Sequence, residues 1–256
     1  TLALAALALT ACPSEKPAPK PEPAPAPAEP AKPAIDRAKL AVFQPLPASY
    51  AKEGQTKAQE DLGRMLYFEA RLSKNHDVSC NSCHAVDKFG VDNNATSPGH
   101  KGQLGGRNSP TSFNAAGHVA QFWDGRAADV EAQALGPILN PVEMALPDEQ
   151  AAMKVLASMP EYEAAFKAAF PGDKNAMRWE NVGAAIGAFE RKLVTPGRFD
   201  KLLQGDDKAL TADELKGLDL FVSTGCTTCH MGPAIGGSMY QKLGLVKPWT
   251  DDKDKG

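Results

Sequence analysis

The sequence lacks a large excess of charge of either sign, since 28 Lys and Arg residues stand against 31 Asp and Glu residues. It therefore has no basic surplus of the kind with which nucleic-acid-binding proteins attract phosphates, and we expect no nucleic-acid partner. It has no clear alternation of apolar and polar residues, which argues against strands. Its uncharged apolar start, residues 1–11, falls short of the roughly 20 residues that a membrane-spanning helix needs.

The start of the chain has the composition of an export signal. Residues 1–11 are mostly Leu and Ala and end at Cys12, although no Met or positively charged region precedes them. Residues 9–12 resemble a bacterial lipobox, in which the cysteine becomes the lipidated N-terminus. The alternative is an ordinary signal peptide followed by an accidental cysteine. Either reading predicts an exported, periplasmic protein, and the first predicts a lipoprotein held to a membrane only through Cys12.

A Pro- and Ala-rich segment follows from residue 13 to residue 34. Such a composition cannot bury a core and favours extended polyproline II, which at about 3.1 Å per residue would reach roughly 70 Å. We therefore predict a stalk before the folded part. The predicted parts of the chain are a signal remnant at 1–11, the anchor cysteine and linker at 12–47, and folded domains at 48–195 and 196–256.

The folded part is predicted to be all-α with long irregular loops. Apolar residues recur at helical spacing at 58–66, 160–170, 182–193 and 211–221. Residues 85–121 are rich in Gly, Asn, Ser and Pro and should be irregular, and a loop of that length in a compact domain is usually functional. Similar pentapeptides at 63–67 and 217–221 suggest that one helical module is duplicated.

Each of these pentapeptides precedes a C-x-x-C-H motif, at residues 80–84 and 226–230. Two thiols separated by two residues can form thioethers to the two vinyl groups of one haem, and the adjacent His can bind its iron. The sequence therefore predicts two covalently bound haem c groups. The haem-binding residues would be Cys80, Cys83, His84, Cys226, Cys229 and His230, with His84 and His230 as the proximal ligands.

Three other readings of the cysteine pairs fit less well. A structural zinc site would place the pairs about 15–20 residues apart, whereas these are separated by well over a hundred. A thioredoxin-type pair needs a βαβ setting, which the sequence does not predict. Two local disulfides would suit an oxidising compartment but would leave the His after each pair without a role.

The sequence resembles the bacterial di-haem cytochrome c peroxidase family from about residue 46 to residue 240. The residues that carry the resemblance, besides the two haem motifs, are Arg71 to Ser73, Gly99-His100, Arg107 to Thr111, Phe122 to Arg126, Gln133, Val142 to Met144, Leu193 to Pro196 and Phe199-Asp200. Similar proteins have two cytochrome c-like haem domains with a calcium ion between them. The resemblance implies that the first haem reduces hydrogen peroxide and that the second accepts electrons from a small cytochrome c or cupredoxin.

Glu143 is the candidate acid–base residue for peroxide reduction. It is surrounded in sequence by apolar residues, which would raise the pKa of its carboxyl group toward a useful range. The resemblance also implies a distal hydrogen-bonding role for Gln133 and an electron-transfer role for Trp123. These three residues would form the catalytic set, although each could instead be an ordinary loop, surface or core residue.

His100 is predicted to be a removable sixth ligand of the first haem iron, because it lies in a Gly-rich loop that can swing. In some similar proteins the corresponding His leaves once the second haem is reduced, and in others no such activation is needed. Asn108 matches a calcium-ligand position of the family. For His100, the alternative is an exposed loop residue that binds no metal. For Asn108, the other calcium ligands of the family would lie beyond the end of this sequence.

Only residues 231–256 follow the second haem motif, so we expect the second domain to be incomplete and the chain to be a fragment at both ends. Two other functions stay open at this point. One is a di-haem electron carrier without catalysis, and the other is a related maturation enzyme that oxidises tryptophans of a partner protein to form a quinone cofactor. The sequence does not decide the oligomeric state, and a homodimer stays open.

Overall fold

The computed structural model describes residues 36–242 and 244–248, all of which fall in one compact unit. These residues contain α-helices and short 3₁₀ helices joined by long loops, with three isolated β-bridges and no strand among them. The predicted all-α class is therefore confirmed. The predicted signal remnant, Cys12 and the linker as far as residue 35 lie outside the described residues.

Eight α-helices occur in the described part of the chain. They are α1 (Lys57–Tyr67), α2 (Cys80–Cys83), α3 (Val130–Leu139), α4 (Glu149–Ala157), α5 (Pro160–Ala169), α6 (Trp179–Glu190), α7 (Arg198–Leu203) and α8 (Ala212–Ser223). The 3₁₀ helices are Arg37–Val42, Ala70–Leu72, Val86–Lys88, His100–Gly102, Ala115–Gly117 and Cys226–Thr228. Within the same ranges, no helix combines the length and the apolar character that crossing a bilayer requires.

Local sequence signals set most of the helix ends. A capping box begins α8, where the Thr211 hydroxyl accepts from the Glu214 N–H and the Glu214 carboxylate accepts from the Thr211 N–H. Pro160 is the first residue of α5, as its fixed φ favours. Helix α6 ends before the predicted Leu193, because i to i+3 hydrogen bonds such as Leu193 N–H to Glu190 O tighten its last turn.

The larger core lies where α1 crosses α6. A Cβ atom added to Gly63 would overlap the Ala185 carbonyl oxygen, so only glycine allows the two helices to approach this closely. Tyr67, one turn later, is fully buried, and its ring lies 5.2 Å from that of Phe189. At Gly217, the matching position of the repeated pentapeptide, no described atom lies within 4 Å of such a Cβ.

A smaller core joins the start of the described chain to α7 and α8. Leu40 and Phe43 pack there with Leu202, and the ring of Phe43 lies 5.2 Å from the ring of Phe199. Phe43 also forms a parallel β-bridge with Gly232, just after the second cysteine motif. The segment from residue 36 to residue 43, which falls in the predicted linker, thus carries part of this core. The predicted domain bounds remain a prediction.

Candidate functional site

The first cysteine motif forms the four-residue helix α2 and the residue that follows it. The His84 N–H donates to the Cys80 carbonyl at 2.9 Å, which closes the turn. The His84 ring places Nδ1 2.8 Å from the Pro110 carbonyl oxygen. Since a carbonyl only accepts, Nδ1 carries the proton and Nε2 keeps its lone pair. Burial lowers the pKa of His84, which favours the neutral ring that binds metals.

Tyr67 connects this motif to α1. Its hydroxyl donates to the His84 carbonyl at 2.7 Å and lies 3.1 Å from the Ser112 hydroxyl. The side chain is 0% exposed, so burial strongly raises the pKa of the phenol. Tyr67 therefore stays neutral and fixes the motif against both the helix and the long loop. This role could not be predicted from the sequence, where Tyr67 is notable only as the aromatic residue of the repeated pentapeptide.

The second cysteine motif repeats the arrangement of the first. Residues Cys226–Thr228 form a 3₁₀ helix, and the His230 N–H donates to the Cys226 carbonyl at 3.0 Å. His230 Nδ1 lies 2.9 Å from the Ile235 carbonyl oxygen, and the His230 ring packs edge-on against Phe221 with centroids 5.9 Å apart. His230 is thus also held with Nε2 open for a ligand.

These residues fit the haems that the sequence predicts. The cysteines of both pairs are free thiols, and each pair is followed by a His whose Nδ1 is tied to a backbone carbonyl. A hydrogen bond to the other ring nitrogen is the usual support of a metal-binding His. Within residues 36–242 and 244–248, no group of three or more His, Cys, Asp and Glu residues could hold a separate metal ion. The donor set would therefore suit two covalent haems, each with one His whose Nε2 is available to bind the iron.

The structure brings His100 and Glu143 together through their backbones. The His100 N–H donates to the Glu143 carbonyl at 2.7 Å, and the His100 side chain is buried. Gly99 permits this approach, because a Cβ there would overlap the Val142 carbonyl oxygen. The Gln103 amide donates to the His100 carbonyl at 3.0 Å and holds the loop in place. The predicted iron ligand and the predicted acid–base residue therefore belong to one pair of packed loops.

Glu143 is half-buried, and its surroundings shift the pKa of its carboxyl group in opposite directions. Burial raises the pKa of Glu143, while the positive charge of Arg126 and a hydrogen bond from Asn140 lower it, and the net shift is upward. The negative charge of Glu143 also contributes to the raised pKa values of Cys80 and Cys83. The carboxyl group thus lies within electrostatic range of the first motif, as an acid–base residue there must.

Arg126 is a further residue of this site that the sequence reasoning did not single out. Its guanidinium lies 3.5 Å from the centroid of the Phe122 ring and donates to Asp124 at 2.8 Å. These two contacts hold the guanidinium, whose positive charge lowers the pKa of Glu143. The sequence did contain a signal for it, because Arg126 is the last residue of the Phe122 to Arg126 motif that carries the family resemblance.

Of the remaining predicted residues, Trp123 and Asn108 contact each other, and Gln133 lies on α3. Trp123 Nε1 donates to the Asn108 carbonyl at 2.8 Å, and the Asn108 side-chain amide donates to the Asn94 carbonyl at 2.7 Å. Within the described part of the chain, the Trp123 side chain is 58% exposed. It therefore does not belong to the core, as the alternative reading of this residue expected. Gln133 lies half-buried on α3, and no described hydrogen bond joins its side chain to His100 or Glu143. Its distal role stays a prediction.

Comparison with known proteins identifies relatives of this chain. A family model described as di-haem cytochrome c peroxidase matches residues 57–208. The chain is 49% identical over 211 residues to the cytochrome c551 peroxidase of Nitrosomonas europaea, covering 82% of this chain and 62% of the relative. It is 48% identical over 211 residues to that of Pseudomonas aeruginosa, covering 81% and 61%. The chain thus spans about three fifths of the length of these relatives.

Solved structures share the fold. A MauG-like protein associated with microbial copper homeostasis superposes with a TM-score of 0.65 at 25% identity, over 85% of this chain and 61% of that protein. The diheme peroxidase BthA of Burkholderia thailandensis superposes with a TM-score of 0.60 at 21% identity, over 73% and 52%. The second likeness concerns the fold alone.

Proposed function

Because the chain belongs to the di-haem cytochrome c peroxidase family, we propose that it reduces hydrogen peroxide to water with electrons from a small periplasmic redox protein. The family implies two haem c cofactors, and the two pairs of free thiols suit their attachment. The observation that carries the proposal is the packing of the Glu143 loop against the His100 loop beside the first motif. The proposed reaction requires both a proton donor and a removable iron ligand near the first haem motif.

In this proposal Cys80, Cys83 and His84 would hold the first haem, which when bound would supply the redox chemistry that peroxide reduction needs. Glu143 holds the proton that must move from one peroxide oxygen to the other, and its upward-shifted pKa keeps that proton available. Arg126 balances the carboxylate after the proton has left. Gln133 would orient the bound peroxide by a hydrogen bond. Trp123 would assist the passage of electrons between the two haems.

His100 would occupy the sixth position of the first iron in the resting protein. Its backbone N–H donates to Glu143 and its carbonyl accepts from Gln103, so the loop moves only if these bonds break. Lys101 and Gly102 both have positive φ and mark where the backbone turns. The loop therefore combines a held resting position with a sharp bend beside the ligand.

The wider setting belongs to the same proposal. The donor would be a small cytochrome c or a cupredoxin, and export to the periplasm would bring the protein to it. A lipid anchor at Cys12 and a homodimer are both compatible with this function. Calcium would be held in part by Asn108, whose side-chain oxygen is of the type that this ion prefers and whose backbone supports Trp123.

Two methylamine utilization proteins named MauG are also relatives, at 34% and 33% identity. Because of these relatives, the tryptophan-oxidising function remains an alternative. Their sequence identity to this chain is lower than the 49% and 48% of the cytochrome c551 peroxidases. The electron-carrier alternative needs no acid–base residue. The half-buried Glu143 beside the first motif therefore favours a peroxidase over a carrier.

The test is to produce the protein with haem and to measure two properties. We expect two covalent haems per chain, so acid–acetone should leave the haem with the protein fraction. We also expect steady-state oxidation of a reduced small cytochrome by peroxide. Release of the haem into the organic phase would contradict the attachment, and absence of turnover after reduction of the second haem would favour the carrier.

The replacement His100→Gly should produce a five-coordinate ferric first haem. The ring that would bind the iron is lost, while glycine keeps the loop backbone free to form the same bonds. The absorbance and electron paramagnetic resonance spectra of the resting protein should change from low-spin to high-spin for one haem. Replacement of the exposed His118, which lies on another loop, should leave these spectra as they are. An unchanged resting spectrum in His100→Gly would remove this residue from the iron.

A further inference from the structure

The His84 ring is oriented by a loop that lies well beyond it in sequence. Its Nδ1 atom lies 2.8 Å from the Pro110 carbonyl oxygen. A backbone carbonyl can orient a metal-binding ring only while the loop that carries it stays in place. The hydrogen bonds that hold residues 110–113 against the first cysteine motif therefore decide how firmly the His84 ring is oriented.

Residues 110–113 are hydrogen-bonded to the turn that follows the motif. The Thr111 hydroxyl donates to the Phe89 carbonyl at 2.6 Å, and the Ser112 N–H donates to the Gly90 carbonyl at 3.3 Å. Gly90 has a positive φ, and a Cβ atom there would lie 2.7 Å from the Thr111 hydroxyl oxygen and 2.9 Å from that of Ser112. The loop and the turn are thus in close contact. The Thr111 bond is exposed, however, so water competes for its two partners.

A buried pair of hydroxyl groups joins the same loop directly to His84. The Tyr67 hydroxyl donates to the His84 carbonyl at 2.7 Å and is hydrogen-bonded with the Ser112 hydroxyl at 3.1 Å. Tyr67 and Ser112 are both buried, so water does not compete for these bonds. The pair therefore connects the residue that carries the ring with the loop that orients the ring.

Core packing alone does not require a hydroxyl group on Tyr67. Its ring lies 5.2 Å from the Phe189 ring and 5.6 Å from the Phe68 ring, and phenylalanine would form both contacts. A buried hydroxyl group costs free energy unless it is hydrogen-bonded. The two partners of the Tyr67 oxygen therefore explain its presence better than the packing of the ring does.

The second motif has phenylalanine at the position that matches Tyr67. Phe221 is the last residue of the second pentapeptide, and its ring packs against the His230 ring with centroids 5.9 Å apart. The Ile235 carbonyl that orients His230 follows only five residues later in the chain. His230 is also exposed, whereas His84 is partly buried. The two histidines are therefore oriented alike at Nδ1, but the carbonyl groups that orient them are supported differently.

We propose that Tyr67 and Ser112 are positioning residues of the first haem site, which hold the Pro110 carbonyl against His84 and thereby lower the reduction potential of the first haem. A firm hydrogen bond from Nδ1 makes the ring a stronger electron donor at Nε2. A stronger donor stabilises ferric iron relative to ferrous iron, so the reduction potential falls. The proposal rests on the haem attachment in the proposed function but not on peroxide turnover.

The test is the reduction potential of the first haem in Tyr67→Phe, measured by spectroelectrochemistry on the haem-loaded protein. Phenylalanine keeps the ring contacts and removes the hydroxyl group that joins the loop to His84. Loss of an outer partner of a metal ligand typically costs about 10–100-fold in affinity or activity, and here Pro110 itself remains. We therefore expect a smaller change, of about threefold to tenfold toward ferrous iron, which raises the potential by about 28–59 mV for one electron.

Two further variants separate this role from a general loss of stability. Tyr162→Phe removes another buried tyrosine hydroxyl, which donates to Glu69 at 2.9 Å, and should leave the potential of the first haem unchanged. Ser112→Ala keeps the bond between Tyr67 and His84 but breaks the connection to the loop, so it should raise the potential by a smaller amount. An unchanged potential in Tyr67→Phe or in Ser112→Ala would overturn the proposal, as would an equal rise in Tyr162→Phe. If Tyr67→Phe does not fold, Ser112→Ala decides.

Resonance Raman spectroscopy gives an independent measurement of the bond between iron and histidine. Its stretching vibration is visible in five-coordinate ferrous haem, so it is recorded in the His100→Gly background. There, Tyr67→Phe and Ser112→Ala should lower the frequency at the first haem, and Tyr162→Phe should not; an unchanged frequency in the first two would contradict the inference. Peroxide turnover by the wild type with no effect of Tyr67→Phe on the potential would overturn this inference and leave the proposed function in place, whereas the expected rise without turnover would do the reverse.

Discussion

Glu143→Gln is expected to retain both haems and their uptake of electrons, yet to lose at least about a hundredfold of peroxide turnover. A peroxide oxygen leaves readily only if it receives a proton while the iron supplies electrons. A positioned acid–base residue typically contributes about 10²–10⁴-fold to such a step. Glutamine keeps the size of the side chain and its hydrogen bond with Asn140, but it cannot carry the proton. The measurement is steady-state oxidation of a reduced cytochrome by peroxide.

The matched control for this variant is Glu149→Gln. Glu149 is an exposed carboxylate in the first turn of α4, close in sequence to Glu143 but without its burial. Its replacement should leave turnover and haem content unchanged. If Glu143→Gln turned over peroxide at nearly the wild-type rate with full haem content, Glu143 would have no part in the mechanism. If the two variants lost activity equally, the loss would not reflect a positioned proton donor.

Gly63→Ala should destabilise the protein by about 1–3 kcal/mol or prevent its folding. The added methyl group would overlap the Ala185 carbonyl oxygen, which belongs to the backbone of α6 and cannot rotate away as a side chain can. Alanine favours a helix over glycine by up to about 1 kcal/mol, but this gain is smaller than the expected clash. The measurement is the free energy of unfolding of the haem-loaded protein in denaturant.

Gly172→Ala is the control for the Gly63 variant. Gly172 lies in an exposed turn after α5, has no positive φ and has no atom within 4 Å of the added methyl group. Its replacement should be neutral or slightly stabilising, because alanine restricts the unfolded chain. If Gly63→Ala were as stable as Gly172→Ala, the close crossing of α1 and α6 would be wrong.

Much of this fold was accessible from the sequence, because its strongest signals are local. The capping box at Thr211, the proline that begins α5 and the helical spacing of α1 each specify a helix without reference to the rest of the chain. The irregular course of residues 85–121 followed in the same way from their Gly, Asn, Ser and Pro content. These predictions needed only interactions between residues that are neighbours in sequence.

Helices α2, α3, α4 and α7 were not predicted. Helix α3 contains Pro137, which usually marks a helix boundary, and α7 has only six residues. The sequence predicted only those site residues that belong to a recognisable motif. Nothing in the sequence indicates that the Pro110 and Ile235 carbonyls hold the two haem-motif histidines, since any residue can offer a backbone oxygen.

The contact of Phe43 with Gly232 also sets an order of events for a chain that enters its folding compartment from the N-terminus. Leu40 and Phe43 enter early, but their partners in α7, in α8 and after the second motif enter much later. The helices of the larger core lie between these two parts, and they can pack as soon as α6 has entered. The first module can therefore fold before the early segment has its partners, and the second module closes only when the chain has entered as far as Gly232. A chain halted between α6 and α8 should have a folded first module and an exposed pair of apolar residues, which a chaperone could bind.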